Sequence, residues 1–256
     1  MNEARLEDSS SFDEQHIVVQ KNISYFDLKW RAVKDPAKQN TWNWIAFFFS
    51  PFWLAYRKMY KPFFVLALIE LLYAVPFYLV DLPAWLDGPF YLIIAIVVGL
   101  NGNRWYYKHT LNILKQSKSL SDSHQASYLQ TKGGTHIGIL VGLNVLVIAL
   151  FFLLDMGLSY LPSETNIKDV VRLSVDAETL EIFTDDPKWS YVKKDGRSYI
   201  VEFTGYDYSE KEDVRIVFNV YLDKYIYEWK EIYINGKKLN KKDAEDYELW
   251  IEDNSY

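Results

Sequence analysis

Residues 41–60 read TWNWIAFFFSPFWLAYRKMY, and how this run meets a bilayer decides the fold. Nine of its twenty residues are aromatic, and it closes on the basic pair Arg57-Lys58. Aromatic rings flanked by cations suit the boundary between acyl chains and headgroups. The apolar stretch is short and broken by Ser50-Pro51, where proline removes a backbone donor. Apolar runs of ~10–14 residues tend to lie in the interface or re-enter rather than cross. A crossing would also set Arg57, Lys58 and Lys61 opposite Lys29, Arg31, Lys34 and Lys38, against the tendency of basic residues to share the cytoplasmic side. The run therefore predicts one interfacial or re-entrant aromatic helix. Trp42, Trp44, Trp53, Tyr56, Arg57 and Lys58 are its interface anchors, joined further on by Trp105.

Outward from this run, three stretches have the length and apolarity of membrane spans: about 62–80, 85–103 and 137–154. The connector at 81–88 carries two acids and no base, while 104–135 carries Arg104, Lys108, Lys115, Lys118 and Lys132 against Asp122 alone. This asymmetry predicts a multi-pass membrane protein whose N-terminus and 104–135 loop face the cytoplasm. Residues 1–41 would be a cytoplasmic segment with a short amphipathic helix, 42–157 the helical membrane domain, and 158–256 an extracytoplasmic domain. The opening residues Glu3, Glu7, Asp8, Asp13 and Glu14 are acidic with no early apolar run, so no cleavable signal peptide is expected.

A mean hydropathy of −0.14 is the average of two unlike halves. Residues 158–256 hold 14 basic and 22 acidic side chains, whereas the long apolar runs lie before them. Ser163-Glu164 reads as a helix start, and Ala177, Leu180 and Phe183 share a helical face. From Trp189 the period falls to two, with Asp195-Gly196 and Asn235-Gly236 as hairpin turns, and 243–251 reads as a closing helix. The fold class is an α-helical membrane domain followed by a small α+β domain with an antiparallel sheet.

The chain has no cysteine, which excludes disulfides, thiolate metal sites and a cysteine nucleophile. A net charge of −6 argues against nucleic acid as a partner. His109, His124 and His136 have spacings that match no metal signature, and no phosphate loop or nucleophile elbow occurs. No catalytic, cofactor-binding or metal residue is therefore assigned.

Glu70 is the only charge of the first span, and a carboxylate there needs a proton or a partner. It reads either as a neutral hydrogen-bond donor or as part of a polar path with Asn101, Asn103 and Asn144. Gly134, Gly138 and Gly142 form a small-residue stripe that allows close helix approach, within the protein or in a homo-oligomer. Asn101-Gly102-Asn103 reads as a helix end at the cytoplasmic interface.

Tyr25-Phe26, Lys29-Trp30, Trp42-Asn43-Trp44, Ala46-Phe47-Phe48-Phe49, Pro51-Phe52-Trp53 and Tyr56-Arg57-Lys58-Met59-Tyr60 resemble the signature of a bacterial membrane-protein family. It is catalogued as domain-of-unknown-function family 2628. Gly99-Leu100-Asn101-Gly102-Asn103, with Tyr106-Tyr107 and His109, resembles its second block. Ser50 stands where that pattern has a glycine. The resemblance implies a protein of the bacterial cytoplasmic (inner) membrane without an assigned activity. Asp186-Pro187-Lys188-Trp189, Val201-Glu202-Phe203-Thr204-Gly205 and Ile234-Asn235-Gly236 are similar to small domains on Gram-positive membrane anchors.

The functional expectation is a non-enzymatic membrane protein whose acidic domain binds or senses an envelope or protein ligand, with Tyr206, Tyr208, Tyr225 and Tyr227 as candidate surface rings. The alternatives are a small transporter or channel component using Glu70, and an envelope enzyme built on paired carboxylates.

Overall fold

The computed structural model describes residues 15–255. The acidic opening run from Glu3 to Glu14 lies outside the described residues. The chain divides into two compact units, Met1–Tyr73 with Pro83–Phe152, and Ala74–Leu82 with Leu153–Tyr256.

The first unit is helical: α1 (Ile23–Arg31), α2 (Trp44–Phe48), α3 (Ser50–Tyr56), α4 (Tyr60–Ala74), α5 (Asp87–Ser117), α6 (Asp122–Lys132) and most of α7 (Ile137–Leu158). Three helical stretches among the described residues are long and apolar enough to cross a membrane: Tyr60–Tyr78, Ala84–Ser117 and Ile137–Leu158. The chain is thus a membrane protein by the length and composition of its helices. Pro76 ends α4, and the chain tightens into a 3-10 turn at Val75–Tyr78.

Two sequence expectations change here. The aromatic run forms two short helices, because Phe49 leaves helical conformation and Pro51 starts a new turn. Ser50, in the place of glycine, donates its hydroxyl to the Ala46 carbonyl at 2.8 Å, an acceptor the break leaves open. The second change is at Asn101-Gly102-Asn103, which is no helix end. α5 continues for 31 residues to Ser117, about 46 Å at 1.5 Å per residue and well beyond a ~30 Å hydrocarbon core.

The second unit stacks α8 (Glu164–Arg172), α9 (Val175–Phe183) and α10 (Lys241–Asp253) on a five-stranded antiparallel meander. Its strands are β1 (Thr184–Asp195), β2 (Ser198–Asp207), β3 (Glu212–Tyr221), β4 (Ile226–Ile234) and β5 (Lys237–Lys238). Ser163, Ser174 and Asn240 cap the three helices by accepting from the backbone N–H three residues on. Asn235 and Gly236 both take positive φ, as a two-residue hairpin needs. Alternate strand residues Val201, Phe203, Ile216, Phe218 and Val220 bury against Ile167, Val171, Leu180 and Ile251 of the helices. The Ser163 hydroxyl donates to the Tyr78 carbonyl, and Lys168 pairs with Asp81, so the connector 74–82 is part of this unit. The free edge of β1 is broken by Asp186 at φ 49, by Pro187 and by two register shifts, which blunts it against pairing with another strand.

Candidate functional site

The family-like signature of the first unit proves to be a packing device. α2 lies on α5 where Gly99 and Gly102 remove side chains. A Cβ at Gly99 would sit 2.9 Å from that of Phe47, and one at Gly102 3.1 Å from that of Ala46. This close approach lets the Asn43 amide reach Asn103. Asn43 Nδ2 donates to Asn103 Oδ1 at 2.9 Å, Asn103 Nδ2 to Thr41 Oγ1 at 3.0 Å, and the Asn43 oxygen caps α2 at the Ala46 N–H. The Trp30 indole donates to the Asn103 carbonyl at 3.1 Å. The buried Asn43 and Asn103 amides are thus both paired, as burial demands.

Arg57 and Lys58 are buried within the described residues, being only 2% and 8% exposed. The Arg57 guanidinium donates to the Val19 and Lys21 carbonyls and to the Tyr106 hydroxyl, and lies 4.7 Å from the Phe26 ring centroid. Lys58 takes positive φ and donates to the Thr131 and Gly133 carbonyls, neutralising the negative end of α6. Burial, and secondarily the Lys132 ammonium, push the Lys58 pKa down. Trp53 is also buried, against Tyr106. Of the expected anchors, Trp44 is exposed, while Trp42, Tyr56 and Trp105 are half-buried. Phe48, Phe49 and Phe52 join Trp44 in an exposed aromatic face on α2 and α3.

The polar candidates of the spans do not meet. Glu70 has no hydrogen-bond or ion-pair partner among the described residues. Asn101 and Asn144 turn back on their own helix, donating to the Val97 and Leu140 carbonyls, and Asn103 belongs to the α2 network. The glycine stripe makes no close contact with another helix among the described residues. Gly134 precedes α7 with φ 67, a Cβ at Gly142 would touch nothing, and one at Gly138 only His136 of the same segment.

Sequence spacing gave no sign of a pocket of about 490 Å³ where α4 begins beside α5. Lys58, Tyr60, Lys61, Trp105, Lys108 and His109 line it. No carboxylate is among the lining residues, and Lys61 and Lys108 have no acidic partner among the described residues. His109 Nε2 is buried without a hydrogen-bond partner.

In the second unit a cleft of about 420 Å³ opens at one end of the sheet, lined by Asp185, Asp186, Lys188, Tyr206, Asp213 and Arg215. Lys188 pairs with Asp186, and Arg215 reaches Glu202 at 2.8 Å while stacking 3.7 Å from the Tyr233 ring centroid. Tyr206 and Tyr208 are exposed and meet edge to face at 6.0 Å. The hydrogen bond to Asp185 raises the Tyr208 pKa. Tyr225 is exposed beside Tyr160, whereas Tyr227 packs on the core and donates to Asp176 at 2.7 Å. Among the described residues no three His, Asp or Glu side chains cluster as a metal site would require.

Residues 11–111 match the model of a family described as "Protein of unknown function (DUF2628)". No curated protein and no solved structure matches the chain.

Proposed function

We propose, starting from a membrane domain of that family in the first unit, that the protein holds its α+β unit outside a bacterial cytoplasmic membrane, where the sheet-end cleft binds a basic peptide segment. The carrying observation is the open cleft in which Tyr206 and Arg215 stand among Asp185, Asp186 and Asp213, with Tyr208 beside them. Only Asp186 of those three acids is neutralised by an ion pair among the described residues. The excess of 22 acidic over 14 basic side chains in 158–256 would steer a cationic ligand toward the unit. Exposed tyrosine faces would then hold lysine or arginine stems and cations. The orientation is supported by the five basic residues of 104–135 against the acidic connector 81–88.

The reading is tested with full-length protein in detergent and a fluorescent oligolysine peptide. Anisotropy should show binding that weakens with salt and falls about tenfold in D185N/D213N. Equal binding by wild type and D185N/D213N removes the cleft from consideration.

A further inference from the structure

We propose that the lysine-lined pocket between the start of α4 and α5 binds the phosphate of an anionic phospholipid. Three lysines, Lys58, Lys61 and Lys108, line a space of about 490 Å³, and no carboxylate is among its lining residues. Lys58 spends two of its donors on the Thr131 and Gly133 carbonyls and keeps one. The buried Nε2 of His109 lacks a hydrogen-bond partner among the described residues, and as an N–H donor it would be satisfied by a phosphate oxygen that accepts from it.

Lipid is favoured over free phosphate by what adjoins the pocket. Trp105 and Tyr60 flank it, as amphipathic rings do at headgroup depth. Pro62 lines it, and Val65 and Ile69, one and two turns along α4, continue an exposed apolar stripe that an acyl chain would cover. The pocket also sits where a helix long enough to span begins at Tyr60. Basic pockets at membrane-helix ends recognise anionic headgroups by this combination of charge and apolar track.

The full chain in maltoside detergent is melted with dioleoylphosphatidylglycerol, with dioleoylphosphatidylcholine and with inorganic phosphate. Phosphatidylglycerol should raise Tm by about 5 °C and the other two should leave it unchanged. K61Q/K108Q should abolish the rise while leaving the lipid-free Tm in place. K34Q/K115Q, an equal loss of charge elsewhere, should keep it. The proposal is overturned by a full rise in K61Q/K108Q, by an equal loss in K34Q/K115Q, or by a matching rise with phosphatidylcholine or inorganic phosphate. Should K61Q/K108Q lower the lipid-free Tm, a diazirine-bearing phosphatidylglycerol is crosslinked to the wild type. Labelling confined to residues 60–69 and 105–112 supports the site, and labelling elsewhere overturns it.

Discussion

Asn103 is fully buried, and its amide, with its main-chain carbonyl, gathers Asn43, Thr41 and Trp30. Asn103→Leu keeps the volume but leaves the Asn43 Nδ2 and Thr41 Oγ1 groups without these bonds, at about 1–3 kcal/mol for each orphaned group. A lower Tm of the detergent-solubilised protein is the expected result, and an unchanged Tm would show the network to be dispensable. Arg57 and Lys58 show where sequence reading ran out at this scale. Basic residues beside aromatic ones read as interface anchors by composition. What buries them is a set of carbonyls at Val19, Lys21, Thr131 and Gly133, far away in the chain and invisible to local pattern. Glu248 in α10 is the opposite case, a carboxyl raised first by burial and then by Glu252, Asp176 and Glu245. Its folded pKa lies above the unfolded one, so the native state binds the proton more tightly. Stability accordingly rises as pH falls through the folded and then the unfolded value. Glu248→Gln should raise Tm at pH 7, and the gain should vanish near pH 3, a difference read from paired melts.

Among elements, the glycines of α5 and α7 make opposite predictions. Gly102→Val pushes a side chain into Ala46 and Trp53 and should cost about 1–3 kcal/mol by overpacking. Gly142→Val meets nothing within 4 Å and should leave the melting temperature of the monomer in detergent unchanged. Equal effects would place α7 against a neighbour that the chain does not supply. Much of the element pattern was legible. The three spans follow from apolar length, and the hairpin at Asn235-Gly236 from the φ its residues tolerate. The cap at Ser163 follows from its place before Glu164. The extension of α5 to Ser117 was not, because Asn101-Gly102-Asn103 looks like a stop and only α2 packed on it makes those residues favourable inside a helix. The break at Phe49 was half legible: proline announced an interruption, but two helices with opposite buried and exposed faces depend on α5 beneath them.

At the scale of the whole molecule, the proposed orientation can be read by labelling. Ser163 is a poor reporter, since its hydroxyl caps α8 and bonds the Tyr78 carbonyl. Lys237 in the β4–β5 hairpin and Lys115 near the end of α5 are exposed and serve better. With no native cysteine as background, Lys237→Cys should react with a membrane-impermeant maleimide in intact cells and Lys115→Cys only after lysis. The reverse pattern would invert the protein in the membrane. The candidate cleft escaped the sequence because its acids, Asp185 and Asp213, come from different strands and meet only through the register of the meander.

The Lys58 ammonium carries a consequence for how the protein is made. Arg57 finds its carbonyls at Val19 and Lys21, already synthesised, but Lys58 waits for Gly133, 75 residues later. Gly134 then donates its N–H to Val18, and α7 begins at Ile137. During translation the first two spans leave the ribosome with a cation still unclaimed. The joint cannot close before Thr131 and Gly133 are made, immediately ahead of the third span, so the last helix of this domain and the seat of Lys58 arrive together.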